Sequence, residues 1–407
     1  MRFGIVTFWA AWPVVLAAQQ PVTRAEAVAA ALARGARVVI GRADTVAALG
    51  AVRSARAFPN PTVSGSYSQD PPHYHALGDL PLDLPWLRAP RIGAAEAARD
   101  AARYQFAFER AAIRFDVDTS YTRSLAATQH ARLSRRTADD ADSLLKIAVL
   151  RREVGDVSEL DVRLAAVNAG QLENTAIDDS LAALGSLLSL QLQMGLSGDA
   201  PAIVLRDSLT PPDDSAGTNV IPAPGEYLPV AAAAATLRSA ERTLTFTRAS
   251  RFAPSLEFGV DKGDPGATQP NQLLPVIGFS LPLPLFNRSG GDVTRAIAER
   301  DRARAQLDLT RRETSAAVAR ARRELVAAQA RVRRSTRLVA SADRVVAMSL
   351  QAYGEGAVAL ASVLEAQRNA REILARYIDD LAAADAAART LRWLTAGGGA
   401  GGEADEP

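Results

Sequence analysis

The chain contains no cysteine. This absence excludes a disulfide framework, a thiolate metal site and a lipid anchor on an N-terminal cysteine. Net charge is also nearly absent, because 47 basic residues face 45 acidic ones, and no overall field favours nucleic acid as a partner. Only Lys146 and Lys262 are lysines, so arginine supplies almost all of the positive charge.

Catalytic motifs are missing as well. The sequence has no nucleophile–base signature, no glycine-rich phosphate loop and no metalloprotease helix motif, so we expect no enzyme activity and no cofactor. The histidines are His73, His75 and His130, and the first two could bind a metal weakly, but without cysteine or a third ligand we predict no metal site. The thirteen arginines from Arg295 to Arg337 alternate with acidic residues at helical spacing, which favours a solvated helix face over an RNA surface.

Long apolar runs are absent except at the N-terminus. There, Arg2 precedes an apolar stretch that ends in the small residues Ala17 and Ala18, which is the layout of a secretory signal. Pro13 interrupts the stretch, and its apolar part is short for a membrane span. We therefore predict a signal peptide over residues 1–18, with a retained signal anchor as the alternative.

The chain repeats itself. Residues 152–184 resemble residues 353–384 without a gap, so that Gly155 pairs with Gly356 and Val162 pairs with Val363. Each half reads as a short helix, two strands, a long helix, a glycine turn and a second long helix. The predicted organisation is a signal peptide (1–18), a first structural repeat (19–200), a linker or equatorial segment (201–227), a second repeat (228–396) and a disordered tail (397–407).

Two segments predict unusually long helices. Residues from about 94 to 150 and from about 292 to 353 contain no proline and no interior glycine, and each helix would be about 80–90 Å long. In the second segment, large residues recur every seven positions, with a small residue three positions after most of them; the large ones are Val318, Leu325, Val332, Val339, Val346 and Tyr353. This period predicts a left-handed coiled coil.

Few strands are predicted, and they are short. Polar and apolar residues alternate in residues 61–69, 254–262 and 273–281, and a fourth, poorly marked strand lies within residues 76–87. Such two-faced segments of about nine residues fit a transmembrane barrel strand, and they fit a small soluble sheet equally well. Because four strands cannot close a barrel, the chain forms either an open sheet or a barrel shared with copies of itself.

The junction after the last predicted strand carries a family resemblance. Residues 280–291, SLPLPLFNRSGG, run directly into a helix that begins DVTRAIAERD. This run resembles the second strand-to-helix junction of TolC-family outer-membrane efflux proteins, above all their heavy-metal (cobalt–zinc–cadmium resistance) branch. The resemblance extends over nearly all of the chain after the signal.

The resemblance implies a mainly α fold with a small β part, in which three copies share a twelve-strand outer-membrane barrel that continues into a periplasmic α-helical coiled-coil barrel. The implied function is a passive exit duct of a tripartite efflux system that exports metal cations or small toxic compounds. Its implied partners are a periplasmic adaptor, an inner-membrane pump of the RND type, outer-membrane lipid and two further copies of the chain. A soluble periplasmic coiled-coil adaptor or scaffold is the alternative, although an adaptor would carry a single helical hairpin between β-rich domains.

Within that resemblance, the junction residues take definite roles. Prolines would fix φ and withdraw N–H donors where strand pairing ends, an aromatic would pack at the membrane interface, and glycines would supply permissive dihedrals before Asp292 caps the helix. The junction residues are Pro282, Pro284, Phe286, Asn287, Gly290 and Gly291.

The same resemblance implies a gate at the two glycine turns around Gly155 and Gly356, where an adaptor would also bind. By position, Asp161 and Tyr353 match the aspartate and the tyrosine of the family's closing network, and Val358 stands where its arginine would be. Ser362 replaces one acidic ring residue and Glu365 keeps the other. Tyr353 fits a heptad position equally well, and Glu365 fits a solvated helix charge.

Overall fold

The structure is a computed structural model that describes residues 20–211, 227–251, 253–262, 272–282 and 289–396. The predicted signal peptide and tail lie outside the described residues. In chain order the elements are β1 (Gln20–Val22), α1 (Arg24–Arg34), α2 (Ala36–Arg56), β2 (Thr62–Tyr67), β3 (Tyr74–Pro81), α3 (Pro85–Glu153), α4 (Glu159–Gln193), β4 (Ile203–Leu205), α5 (Leu228–Ala249), β5 (Ser255–Lys262), β6 (Leu273–Ser280), α6 (Gly290–Gly354) and α7 (Leu360–Leu394).

The chain is mainly helical with a small sheet, as predicted. Helices α3 and α6 have 69 and 65 residues, and each is followed across a short turn by a helix of 35 residues. Helix α3 begins at Pro85, nine residues before the predicted start, and continues through Pro90 and Gly93. The predicted start followed the last of these helix breakers. Pro85 occupies the first helical position, where proline is tolerated, whereas Pro90 lies inside the helix and has no N–H to donate to the preceding turn.

The predicted seven-residue seam of α6 is buried from Val318 to Val332 and again at Tyr353, whereas Val339 and Val346 are only partly buried. Val318, Leu325 and Val332 are almost inaccessible, and so are the small residues Ala321 and Ala328 between them. The alternation of large and small residues allows close approach of neighbouring helices. Among the described residues, no helix has the length and apolar character needed to cross a membrane.

All four predicted strands form one antiparallel sheet with the order β2-β3-β5-β6. The poorly marked fourth strand is β3, whose residues Tyr74–Pro81 pair with both β2 and β5. Strands β2 and β6 are the edges of the sheet.

The sheet has one apolar and one polar face, because side chains alternate along each strand and the register aligns them across strands. The apolar face carries Val63, Gly65, Tyr67, Tyr74, Ala76, Gly78, Leu80, Leu256, Phe258, Val260, Lys262, Leu273, Pro275, Ile277 and Phe279. The polar face carries Thr62, Ser64, Ser66, His75, Leu77, Asp79, Pro81, Ser255, Glu257, Gly259, Asp261, Leu274, Val276, Gly278 and Ser280. The Phe258 ring covers Gly78, where an added Cβ would lie 2.7 Å from ring atoms, so these two residues share a face.

A second, parallel pair of strands was not predicted. Strand β1 pairs with β4 through Gln20–Ile203, Pro21–Val204 and Val22–Leu205. Strand β4 lies in the segment interpreted as a linker. The proline and aspartate content of that segment predicted a loop, and a strand of only three residues gave no alternating pattern against it. The start of that segment is therefore structured, with Ile203 buried.

The chain divides into two compact units, each with segments from both predicted repeats. The first unit consists of residues 1–35, 114–213 and 327–386, and it contains the β1–β4 pair and both glycine turns. The second consists of residues 36–113, 214–326 and 387–407, and it contains the four-stranded sheet.

A polar cluster fixes the N-terminal segment inside the first unit. Arg24 Nη1 donates to Asp385 Oδ2 at 2.7 Å and to Thr122 Oγ1 at 3.0 Å. The fully buried Tyr121 donates its hydroxyl to the Val22 carbonyl at 2.9 Å. Burial raises the pKa of Tyr121 to about 12, so the hydroxyl keeps its proton and remains a donor.

Candidate functional site

The polar face of the sheet concentrates acidic groups. Ser255 Oγ donates to Asp79 Oδ2 at 2.6 Å, and Glu257 is the cross-strand neighbour of Asp79. His75 Nδ1 lies 2.9 Å from Asp261 Oδ1. No lysine or arginine lies on the polar face within the described strands, so its field favours cations.

The histidines that could have bound a metal are separated by the fold. His73 Nδ1 lies 3.3 Å from the Ser68 carbonyl in the turn before β3, whereas His75 pairs with Asp261 on the polar face. Across the part of the chain that the structure describes, no group of three histidine, cysteine or acidic side chains could hold a metal ion.

The first strand-to-helix junction contains a charged cluster that sequence reasoning missed, and we call it the Asp83 cluster. Asp83 is 2% exposed, and its Oδ2 accepts hydrogen bonds from Arg88 Nη1 at 2.8 Å and Arg91 Nη2 at 2.9 Å. The two arginines also donate to three carbonyls at the end of α2, those of Ala55, Arg56 and Ala57. Because the last carbonyls of a helix have no partners within it, the cluster caps α2 while it fixes the start of α3.

The second junction is described only in part. Pro282 is exposed just after β6, and Pro284, Phe286 and Asn287 lie outside the described residues. Gly290 and Gly291 are the first residues of α6, and the left-handed dihedral that they were expected to supply is found at Ser289, with φ of 50°. Asp292 lies within the first turn of α6 rather than at its cap, where its charge still favours the helix N-terminus.

The two glycine turns at the ends of the long helices share one geometry. Gly155 has φ of 81° and Gly356 has φ of 73°, a region that favours glycine. After α3, Asp156 N–H donates to the Arg151 carbonyl and Gly155 N–H to the Arg152 carbonyl; the matching bonds after α6 run from Ala357 to Ala352 and from Gly356 to Tyr353. Both turns are Schellman motifs, which explains why glycine occupies the two repeat-related positions.

Asp161 and Tyr353, the two residues assigned to the closing network, are not joined to each other. Asp161 belongs to the capping box of α4, where its Oδ2 accepts from Ser158 N at 3.1 Å and from Ser158 Oγ at 2.7 Å. Tyr353 is buried, and among the described residues its hydroxyl has no hydrogen-bond partner. Glu365 is exposed and accepts from Arg368 Nη2 at 3.1 Å.

An arginine does contact Tyr353, but it comes from the other helical hairpin. The Arg151 guanidinium lies over the Tyr353 ring, 4.8 Å from its centroid, and Nη1 donates to the Tyr353 carbonyl at 3.3 Å. Two hydrogen bonds to Asp156 Oδ2 orient the guanidinium and raise the pKa of Arg151. Arg151 therefore links the end of α3 to the end of α6.

The ring of Tyr353 completes an apolar cluster that also joins the two hairpins. The cluster consists of Leu144, Ala148, Ala165, Tyr353, Leu360 and Val363. These residues come from α3, α4, α6 and α7, so the heptad interpretation of Tyr353 and its contact with Arg151 are compatible.

We expect Arg151→Ala to loosen the end of α6, because it removes the cation–π contact and the bond to the Tyr353 carbonyl. Amide hydrogen exchange in residues 349–357 should become several-fold faster. Arg152→Ala, at an exposed neighbouring position, is the matched control and should have no such effect. Tyr353→Phe should also leave exchange unchanged, since the lost hydroxyl has no partner; faster exchange in that variant would contradict this account of the contact.

Comparisons with known proteins find a family match and a curated relative. Residues 228–397 match the protein family described as "Outer membrane efflux protein". The cobalt-zinc-cadmium resistance protein CzcC of Cupriavidus metallidurans is 26% identical over 257 residues, which is 62% of this chain and 61% of that protein. The chain thus spans about three fifths of this curated relative's length.

Solved structures share the fold over nearly the whole chain. A membrane protein from Pseudomonas aeruginosa has a TM-score of 0.76 at 19% identity, with 92% of this chain and 90% of that chain covered. The outer membrane protein VceC from Vibrio cholerae has a TM-score of 0.73 at 16% identity and covers 92% and 96%. CusC has a TM-score of 0.72 at 16% identity and covers 92% of each chain.

Proposed function

We propose that this chain, whose residues 228–397 match the outer membrane efflux protein family, is the passive exit duct of a tripartite efflux system. It would lie in the outer membrane with a large periplasmic part and would carry out no catalysis. A periplasmic adaptor would dock on it, and an inner-membrane RND-type pump would supply the energy. The substrate, the assembly and the partners are parts of this proposal.

The observation that carries the proposal is the two-faced, open sheet. Its apolar face exposes large side chains to the surroundings, including Val63 at 80% and Ile277 at 81% exposure. An exposed apolar face of this kind fits contact with lipid, and a polar face behind it fits a water-filled interior.

The number of strands supports a homotrimer. Four strands are too few to close around a channel, and strands β2 and β6 are edges with unpaired backbone groups. Three copies that join β2 of one to β6 of the next would give twelve strands and would leave no edge in the membrane.

Metal cations are the substrate class that we favour. The relative CzcC is named for resistance to cobalt, zinc and cadmium. Within the strands that the structure describes, the polar face carries three carboxylates and no lysine or arginine. Threefold repetition of Asp79, Glu257 and Asp261 around one axis would strengthen the attraction of cations to the interior.

The glycine turns are the proposed gate and adaptor-binding region. Gly155 and Gly356 shape the two turns, and the contact of Arg151 with Tyr353 holds the neighbouring hairpins together. Opening of the duct would separate the hairpins, so this contact is the one that we expect an adaptor to loosen. Asp161 would contribute by starting α4 at a fixed residue, and Glu365 would contribute negative charge.

The test is conductance across a planar lipid bilayer that contains the purified protein. We expect discrete conductance steps with a reversal potential that indicates cation preference. Glu257→Gln should weaken that preference, because it removes one carboxylate per copy from the polar face, whereas Glu96→Gln on α3 should not. An assembled oligomer without conductance would contradict the duct, and anion preference would contradict the proposed substrate class.

A further inference from the structure

At one end of the sheet, the strands connect to helices. The opposite end, where the strand ends are Tyr67, Tyr74, Lys262 and Leu273, has a distinct arrangement on its apolar face. Tyr67 and Tyr74 are cross-strand partners with ring centroids 5.2 Å apart, and Lys262 is the partner of Tyr74 on the next strand. Both tyrosines are more than half exposed. A lysine and two tyrosines therefore occupy neighbouring positions on three adjacent strands at the rim of an apolar surface.

A shallow cavity of about 490 Å³ lies at this rim. It is lined by Tyr67, Tyr74, Lys262 and Leu273, together with Ala76 and Val260 from the apolar face. The cavity thus offers hydrogen-bond donors and a positive charge at one end and aliphatic surface toward the strand centres.

The charge of Lys262 is not compensated within the described residues. Its ammonium group makes no ion pair there, although Asp261 is adjacent in sequence. The carboxylate of Asp261 is on the polar face, where it pairs with His75. Alternation along the strand thus separates the carboxylate from the ammonium group and leaves the latter beside tyrosines.

We propose that Lys262, Tyr67 and Tyr74 bind the phosphate headgroup of an anionic lipid whose acyl chains lie on the apolar face. The inference rests on the proposed membrane location and adds a specific headgroup site to it. Tyrosine is enriched at membrane–water interfaces, and a lysine stem can lie along apolar surface while its ammonium group reaches a headgroup. The ligand that matches the arrangement is an amphiphile with a negative phosphate.

The small number of lysines makes the test direct. The full-length protein is acetylated in neutral detergent, in phosphatidylcholine nanodiscs and in phosphatidylglycerol nanodiscs. Peptide mass spectrometry measures the acetylation rates of Lys262 and Lys146, and the measured quantity is the ratio of the first rate to the second. Lys146 is an exposed helical lysine paired with Asp142 and serves as the internal reference. We expect the ratio to be about fivefold lower in phosphatidylglycerol than in phosphatidylcholine, the effect expected of one lysine at an anionic surface.

Two variants separate a built site from a general surface effect. Tyr74→Phe removes one hydroxyl and should reduce the protection of Lys262. Ser64→Lys places a lysine on the polar face of β2, away from the residues that line the cavity, and that lysine should be equally reactive in the two nanodiscs.

Three results would overturn the site. The first is an equal Lys262 ratio in the two nanodiscs, and the second is equal protection of the lysine in Ser64→Lys. The third is full protection of Lys262 by inorganic phosphate in detergent, which would indicate a free-anion site instead. The conductance of the same preparation distinguishes these failures from failure of the duct, because the duct stands if conductance is retained while Lys262 protection is absent.

Discussion

Asp83→Ala should destabilise this protein by about 3 kcal/mol, the lower end of the range for removing one partner of a buried ion pair. Asp83 is 2% exposed, whereas Arg88 and Arg91 are 30% and 24% exposed. The arginines left behind could reach water in part, so the cost falls at the lower end of that range.

The substitution of Asp83 would weaken more contacts than the two ion pairs. With Asp83 in place, Arg88 and Arg91 are held where they donate to the last carbonyls of α2, and the Arg88 guanidinium also lies 4.2 Å from the Phe58 ring centroid. Without the carboxylate, α2, β3 and α3 lose their common anchor at the point where a strand becomes a long helix. We therefore expect the variant to show a lower free energy of unfolding in urea, measured in detergent, and a smaller yield of the assembled oligomer.

The neighbouring pair of Arg56 and Glu96 provides the control. These side chains are 59% and 37% exposed, and an exposed pair contributes at most about 1 kcal/mol. Glu96→Ala should therefore have a small effect, and Asp83→Asn, which keeps an acceptor but loses the charge, should fall between the two. If Asp83→Ala cost no more than Glu96→Ala, the Asp83 cluster would have no anchoring role.

The strands were predictable because alternation is a direct consequence of sheet geometry. The segments 254–262 and 273–281 contain β5 and β6 almost without error, since each has large apolar residues at every second position. Strand β3 was poorly marked because Leu77, Gly78 and Pro81 break the alternation, and its place depends on pairing with two neighbours. Strand β1 has only three residues and gains its order from β4, almost two hundred positions away.

The first junction contains prolines, as the second does, but the charges that anchor it were missed. The repeat pairs Gly155 with Gly356, a separation of 201, and the same separation aligns Asp83 with Pro284 and Arg91 with Asp292. Proline and glycine mark a change of chain direction in any sequence, whereas an aspartate and two arginines resemble ordinary surface charges. Only the contacts with the end of α2 show that these charges are brought together.

The two glycine turns illustrate how a resemblance can indicate a region without identifying its contacts. The resemblance implied a role for Tyr353 and placed Val358 where the family has an arginine. The arginine that contacts Tyr353 is Arg151, which is 202 positions earlier and on another hairpin, so no local pattern could reveal it. Asp161, by contrast, shows the spacing of a capping box with Ser158, and that local signal was available in the sequence.

Ile277→Arg should cost about 2–4 kcal/mol if the apolar face contacts lipid, which is the penalty for arginine near the middle of a membrane strand. Ile277 lies near the centre of β6 and is 81% exposed, so the substitution removes few protein contacts. In water the same change would be nearly neutral. The penalty should therefore appear in lipid vesicles, where the fraction of folded protein is measured over a urea series.

Val276→Arg is the matched control, because Val276 precedes Ile277 in the same strand and lies on the polar face. Its arginine would enter the interior that we propose to be filled with water and lined by carboxylates, so folding in vesicles should be affected much less. In the conductance measurement the larger effect should come from the other variant. Val276→Arg adds positive charge to the interior and should lower the cation preference, whereas Ile277→Arg should leave the cation preference unchanged. Equal folding penalties for the two variants would mean that both faces meet the same environment, and the assignment of the apolar face to lipid would be wrong.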